Sequence, residues 1–396
     1  MSCGFYREKD GQVDHIGYRA IFALRFLCVT ADGKSLWAPR KGENMDLFQI
    51  DKNMATETVI EKDGLVFVTP EDPRIRLYGV FKTERGYCRM SPEVAQTVNN
   101  GVNSLNFNTA GGRVRFITNS KTIAIIAERD TTYNPDHMTF TNVAGFDIYE
   151  GDTYVSTFRP GSYVGGRNSF ESKIGFDEAK ERVITINFPN YGPVLSLYIG
   201  VEQGASLSPA PDYTYENPVV FYGSSVTQGG CCSRPGMNYT AVLSRMLDAN
   251  VKNLGFSGSC KGELQMADYL ASLDMSALVM GFDHNAPSPE YLAEHHEPFF
   301  KRFREKRPET PVIFITRAAF IPNPDRDARL AVVERTYDNA LSAGDKNVYF
   351  VPTPNSLAPI GNDGTVDGCH PNDLGFWFMA KGLYPTLKKI LENKKT

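Results

Sequence analysis

The sequence predicts an α/β protein: a parallel sheet with helices on both faces in its C-terminal half, preceded by a β-rich half. Three observations carry this expectation. From about residue 213 onward, apolar runs of strand length alternate with segments of helical period. Before that point the chain shows strand-like alternation broken by turn residues, with few long helical patterns. Between the two, residues 203–218 (QGASLSPAPDYTYENP) carry three prolines and many small residues, as an extended linker would. The boundary is therefore placed near residue 212, with a β-rich region over 1–212 and an α/β domain over 213–396.

In the C-terminal half, strands are expected at 218–222, 251–256, 276–282, 311–317 and 347–353. The helices between and after them are expected from 238, then at 263–273, 289–307, 326–343 and 373–391. Tyr239, Val242, Leu243, Met246 and Leu247 recur as one apolar face of a 3.6-residue period. Ser288 suits a cap with Pro289 at the first helical position, and Gly344 suits the end of the next helix. Parallel neighbours need crossover connections, so five strand-helix units in succession imply a parallel sheet. Function belongs at the carboxyl ends of its strands. In the N-terminal half the best strands are 113–129, 146–158 with a turn at Glu150-Gly151-Asp152, 181–189 and 194–201. The first 70 residues give no clear pattern.

Composition excludes several classes of function. The 42 Lys and Arg against 46 Asp and Glu leave a formal charge of −4, without the basic surplus that phosphate-backbone binding requires, so nucleic acid is not an expected partner. The apolar stretch at 18–30 is broken by Arg19 and Arg25 and falls short of the ~20 residues of a membrane span. The opening MSCGFYREKDGQVDH lacks the charged-then-apolar order of a secretion signal, which makes a cytoplasmic protein the expectation. Seven cysteines, an odd number with only Cys231 and Cys232 close together, resemble neither a disulfide framework nor a zinc ladder.

Two segments carry chemistry. GSSVTQG, at 223–229, follows the first C-terminal strand directly and puts a serine hydroxyl on a strand-to-helix loop. It is not a G-x-S-x-G elbow, because Thr227 stands where the second glycine belongs, and it lacks the Gly-Lys-Ser/Thr ending of a phosphate loop. VDGCHPNDLGF, just before the last helix, holds Asp367 and His370 three residues apart. A carboxylate so close can bind one imidazole nitrogen and leave the other to take a proton from serine. Of the six histidines (His15, His137, His284, His295, His296 and His370), only His284 and His370 fall at expected carboxyl ends of strands. Asn372 can also cap the helix that follows. Cys231, Cys232, Cys260 and Cys369 all lie within a few residues of these positions. Their spacing fits no common zinc pattern, so reduced thiols packed beneath the site loops are expected.

In order, these segments resemble the blocks of the SGNH hydrolases, also called GDSL esterases or acylhydrolases. GSSVTQG is similar to block one, with Ser225 at the nucleophile position. NLGFSG (253–258) is similar to block two, with Gly258 at the oxyanion-hole glycine. GFDHN (281–285) occupies block three, with Asn285 at the oxyanion-hole asparagine, and DGCH matches the Asp-x-x-His of block five. The chain departs from the pattern in two places. Ser224 replaces the usual Asp before the nucleophile, so two serines compete for the role, although the spacing from Gly223 favours Ser225. Block three lacks its common flanking residues, which leaves His284 and Asp283 as alternatives to Asn285. Upstream, AGFDIYEG (144–151, with the motif at 145–149), led by HMTFTN (137–142), resembles the GxDLY motif of a β-sandwich domain found before some SGNH domains.

The resemblance implies a flavodoxin-like domain behind a β-sandwich. It also implies a serine esterase in which Ser225 attacks, His370 is the base and Asp367 orients it. The oxyanion would be held by the N–H groups of Ser225 and Gly258 and by the Asn285 amide. Short acyl esters, above all O-acetyl groups on carbohydrates or similar polar alcohols, are the expected substrates, with no metal and no cofactor. No lipase-like lid is visible. Acyl transfer with the same triad is one alternative, and an inactive hydrolase-like carbohydrate-binding protein is another. The expected partner is a small-molecule or oligosaccharide ester, with neither nucleic acid nor membrane, and the sequence leaves room for a homo-oligomer.

Overall fold

The structure is a computed structural model that describes residues 6–9, 12–15, 59–131, 135–161, 166–318 and 321–393. The apolar stretch at 18–30 lies outside these residues. Residues 1–55 and 56–396 form two compact units. In the first, Tyr6–Lys9 and Gln12–His15 pair as an antiparallel hairpin. Everything that follows concerns the second.

Its first part is a two-sheet antiparallel sandwich. The strands are β1 (Leu65–Val68), β2 (Arg76–Tyr78), β3 (Arg113–Thr118), β4 (Thr122–Thr131), β5 (Phe146–Glu150), β6 (Thr153–Phe158), β7 (Gly166–Gly175), β8 (Arg182–Asn187), β9 (Val194–Glu202) and β10 (Leu207–Pro209). One sheet runs β6-β5-β8-β3-β10, with β2 also pairing β3, and the other runs β7-β4-β9-β1. Alternate residues from each fill one core: Val114, Phe116, Ile184 and Ile186 meet Ile123, Ile125, Leu197 and Ile199, the period-two pattern of a half-buried strand. Two expectations change in detail. The run at 113–129 is two strands rather than one, because the chain turns at 119–121 to supply both sheets. The expected linker is partly structured, with β10 closing the edge of β3.

The second part is the expected parallel sheet. Its strands β11 (Tyr215–Gly223), β12 (Ala249–Gly255), β13 (Ala277–Gly281), β14 (Val312–Ile315) and β15 (Val348–Val351) lie in the order β12-β11-β13-β14-β15, all parallel. This is the flavodoxin-like order 2-1-3-4-5, in which sites form beyond the carboxyl ends beside the first strand. Its flanking helices are α5 (Tyr239–Leu247), α6 (Leu264–Ser272), α7 (Pro289–Lys306), α8 (Pro324–Ser342) and α10 (Asp373–Asn393). The short helices of this unit are α1 (Pro92–Val98), α2 (Asn100–Leu105), α3 (Phe140–Ala144), α4 (Ser225–Gln228) and α9 (Thr353–Leu357). Along β11 the faces alternate. Val220 and Tyr222 pack with α6, α7 and α8, while Val219 and Phe221 pack with α5 and α10. Met90, Ala95 of α1 and Val102 of α2 belong to the first of these cores although they precede the sandwich strands β3 to β10. No helix among the described residues is long and apolar enough to cross a membrane.

Candidate active site

The carboxyl ends of β11, β12, β13 and β15 feed one cluster of loops. At the end of β11 the chain turns at Gly223 straight into α4. Ser224 caps that helix, its Oγ accepting from the Val226 N–H at 3.3 Å, and Ser225 opens it. The helix lies against β12 so closely that a Cβ on Gly255 would meet the Gln228 nitrogen at 2.2 Å, so only glycine fits there. Gly258, beyond β12, takes φ 67°, the left-handed region that glycine enters without a steric cost.

The structure brings three of the expected residues into one hydrogen-bonded chain. Ser225 Oγ lies 2.9 Å from His370 Nε2, and His370 Nδ1 lies 2.8 Å from Asp367 Oδ2. A carboxylate only accepts, so the proton sits on Nδ1 and the Nε2 lone pair faces the serine hydroxyl. Asp367 Oδ1 also accepts the backbone N–H groups of His370 at 2.7 Å and Cys369 at 3.0 Å. Partial burial alone would raise the Asp367 pKa. The hydrogen bonds from the His370 N–H and ring, with that of Cys369, outweigh it and hold the carboxyl below the usual value. The loop is closed from below by Asn372, whose Oδ1 accepts the Gly375 N–H at 3.1 Å. Asn372 thus caps α10 as the sequence suggests.

The three candidates after β13 separate cleanly. Asn285 Oδ1 accepts the Cys260 N–H at 3.4 Å, which leaves the NH2 end of the amide as a donor. Asp283 is buried and accepts the Arg317 N–H at 2.8 Å. Burial pushes its pKa up to about 6 against that bond and the nearby Arg317 and Arg329 charges. His284 Nε2 lies 3.1 Å from Cys369 Sγ, and burial, with the charges of Arg317 and His370, lowers its pKa to about 4, so it is neutral. Each of the two flanking residues therefore has a partner in the surrounding loops.

The sandwich supplies the rest of the wall, which the sequence pattern did not reveal. Asn142, in the middle of α3, donates to the Gly229 carbonyl at 2.9 Å, and Asn190 donates to Asn142 Oδ1 at 2.8 Å. The buried Tyr191 hydroxyl donates to the Ser225 carbonyl at 3.3 Å. Asp147, the acid of the GFDIY motif, is wholly buried. It binds Arg234 at 2.9 Å, the Gly236 N–H at 2.8 Å and Asn187 at 2.8 Å, so it ties the sandwich to the loop after α4. The His137 and His370 rings lie 5.5 Å apart. His137 lies within HMTFTN, but nothing in that segment says which carboxyl end it will dock on, and it arrives from the loop before α3.

The cysteines near the site are free thiols. The Cys232 sulfur lies 3.1 Å from Asn142 Oδ1 and 3.2 Å from the Gly229 carbonyl, which share its single S–H as acceptors. Burial pushes the Cys260 thiol well above its ordinary pKa. Among the described residues, no three of Cys231, Cys232, Cys260 and Cys369 gather into one ligand set.

Residues 216–388 match the GDSL-like Lipase/Acylhydrolase family, and residues 65–207 match the GxDLY N-terminus of SGNH-hydrolase-type esterases. No curated protein matches the chain in sequence. Among solved structures, a protein described as a GDSL-like lipase from Bacteroides ovatus ATCC 8483 is 29% identical with a TM-score of 0.73, covering 83% of this chain and 98% of its own. The same fold, at 15% identity and a TM-score of 0.67, occurs in the salicylyl-acyltransferase SsfX3 of a tetracycline biosynthetic pathway, with 83% and 98% covered. It occurs again in a family two carbohydrate esterase from Cellvibrio japonicus, at 13% identity and a TM-score of 0.56, with the same coverage. The chain belongs to the GDSL-like, or SGNH, family of carboxylic ester hydrolases and carries the family's GxDLY domain ahead of its hydrolase domain.

Proposed function

We propose that the protein hydrolyses short-chain acyl esters, acetyl esters of carbohydrates or comparable polar alcohols first among them, through a covalent acyl-serine. The observation that carries this reading is the continuous chain from Ser225 Oγ through His370 to Asp367. Ser225 Oγ attacks the ester carbonyl carbon while His370 Nε2 takes the hydroxyl proton, and Asp367 stabilises the imidazolium. The N–H groups of Ser225 and Gly258 and the Asn285 NH2 meet the negative charge that develops on the carbonyl oxygen. The tetrahedral adduct expels the alcohol, which leaves with the proton from His370. Water then attacks the acyl-enzyme with the same base and releases the acid.

The substrate class follows from the surroundings. The His370 side chain is 19% exposed and that of Asp367 39%, so the base side of the triad opens to solvent although Ser225 itself is buried, which suits a polar alcohol leaving past His370. Of the neighbours, exposed His137 adds polar surface, while Asn142 and Asn190 are buried and hold the loop from beneath. Sharing the fold with family two carbohydrate esterases agrees with this choice. Kinetics on p-nitrophenyl esters of increasing chain length, with acetate release from acetylated sugars, test it. Acetyl should exceed octanoyl. A preference rising to decanoyl, with no acetate from any saccharide, would overturn the substrate and leave the serine mechanism standing.

Acyl transfer is the second reading, favoured by the salicylyl-acyltransferase that shares the fold. Added sugar acceptors that divert most of the acyl group from water would establish it. An inactive sugar-binding protein is the third, and no turnover on activated acetyl esters alongside oligosaccharide binding would establish that.

A further inference from the structure

Beside the Ser225–His370 pair, two side chains that ester hydrolysis does not use join His370 in a second constellation. One ring nitrogen of His137, the Cys231 sulfur and one ring nitrogen of His370 all lie within 4.8 Å of one another. The three arrive from separate places: His137 from the loop before α3, Cys231 from the turn after α4, and His370 from the loop before α10. Cys231 is buried and takes φ 73°, a left-handed conformation unusual for a residue with a side chain, and its sulfur lies within 4.8 Å of a nitrogen of each imidazole. His137 Nδ1 faces Asp136 Oδ1 at 3.5 Å. At that distance the fully exposed carboxylate attracts the ring without fixing it, so the imidazole stays free to turn a nitrogen toward an ion. On His370, Nδ1 is held by Asp367, so its free donor is Nε2.

We infer that His137, Cys231 and His370 form a binding site for a soft divalent cation, Zn2+ above all, that inhibits the enzyme reversibly. Two imidazoles and a thiolate are the ligand types such an ion prefers, with the fourth tetrahedral position left to water. Ligand atoms around a tetrahedral zinc stand about 3.5 Å apart given its ~2.0–2.3 Å bonds, so side chains already within 4.8 Å need only close in slightly. On binding, the Cys231 thiol gives its proton to solvent, His137 donates the lone pair of one ring nitrogen, and His370 donates the Nε2 lone pair now facing Ser225 Oγ. That lone pair cannot also accept the serine proton, so the ion competes with catalysis. The inhibitory consequence rests on His370 acting as the base, whereas the binding does not.

The test uses the full-length protein freed of metal with a chelator, its activity on an acetyl ester read in buffers of fixed free Zn2+. One ion per chain should inhibit, the chelator should restore full activity and Mg2+ should not substitute. With each variant normalised to its own metal-free rate, Cys231→Ser and His137→Ala should each raise the inhibition constant about tenfold or more, within the range typical of weakened metal sites. Co2+ should give a thiolate charge-transfer band that Cys231→Ser removes and that Ser225→Ala, which needs no turnover, retains. A wrong assignment of the nucleophile would leave that band untouched, so the two failures are distinguishable. Inhibition constants unchanged in both variants, the absence of a thiolate band, or a band accompanied by full activity would each overturn the proposal.

Discussion

Ser224 and Ser225 are chemically identical and adjacent, and only their hydrogen bonds separate them. Ser224 Oγ is engaged as a cap on the Val226 N–H, while Ser225 Oγ faces the imidazole. Ser225→Ala should therefore lower turnover by about 10⁴–10⁶, the range for losing a serine nucleophile. Ser224→Ala should cost only a cap, about 1 kcal/mol of local stability. Labelling with a fluorophosphonate followed by peptide mapping checks both, and label on Ser224, or normal labelling of Ser225→Ala, would reverse the assignment. Asn285 is the least familiar position in the sequence, because Asp283 and His284 flank it in the same loop. The structure gives Asp283 to the Arg317 N–H and His284 to Cys369. Asn285→Ala should then reduce kcat by about 10²–10³ with KM nearly unchanged, since an oxyanion contact forms mainly in the transition state. A larger loss in His284→Ala than in Asn285→Ala would move the role to the histidine.

Among the elements, α7 shows how burial writes a pH dependence into the fold. His296 lies on its inner face against Phe282 and Phe314, with Nδ1 2.9 Å from the Thr336 hydroxyl. Burial lowers its pKa to about 3. In the unfolded chain it titrates near 6.5, so between pH 6.5 and about 3 the unfolded state holds more protons and stability falls as pH falls, by at most about 1.4 kcal/mol per unit. His284 acts in the same direction down to about pH 4, whereas Asp283, raised to about 6, acts oppositely between 6 and 3.8. His296→Phe removes one titrating group, and Thr336 still donates to the Val332 carbonyl. Urea unfolding between pH 6.5 and 4.5 should show a shallower acid-side loss in the variant, and an unchanged slope would refute the assignment. The same helix shows what was legible in advance. Ser288 and Pro289 announced its start, and the Ser288 side chain does accept the Tyr291 N–H. The start of α8 obeys the same rule, with Asn323 capping and Pro324 at the first helical position, yet its expected start at 326 was two residues late because apolar periodicity begins only further in. The five parallel strands were readable because both their faces are buried. The Asp367–His370 pairing was readable because three residues span it. Asn142, Asn190, Tyr191 and His137 were not, because nothing local encodes which sandwich loop will dock on which carboxyl end.

Across the whole molecule, the sandwich and the α/β sheet are not independent bodies joined at residue 212. Arg89 is wholly buried, its guanidinium over Phe256 and hydrogen-bonded to the Gly255 and Leu105 carbonyls. Burial lowers its pKa to about 9. Arg113 of β3 binds the Tyr213 hydroxyl at 2.7 Å, Asn250 at 2.8 Å and the Val251 carbonyl at 3.1 Å, so a sandwich strand is stitched to β12. Met90, Ala95 and Val102 fill the same apolar layer as Leu254, Phe256, Met266 and Leu270. Cutting the chain at 212 would strip that layer, and burying even one large apolar side chain is worth about 1.5–3 kcal/mol, against a total stability of only about 5–15 kcal/mol for a domain. A fragment of residues 213–396 should therefore fail to form a cooperatively folded domain under conditions where the full chain is folded. In the full chain, the sandwich and the parallel sheet should unfold together, with near-ultraviolet circular dichroism and tryptophan fluorescence giving coincident urea transitions. The measurement is direct: the fragment's unfolding curve beside that of the intact protein, with turnover of an acetyl ester by each. A fragment that unfolds in one sharp transition and keeps near-full turnover would show that the sandwich only decorates the hydrolase domain, and that Arg89, Arg113 and the Met90–Val102 segment do not hold it together.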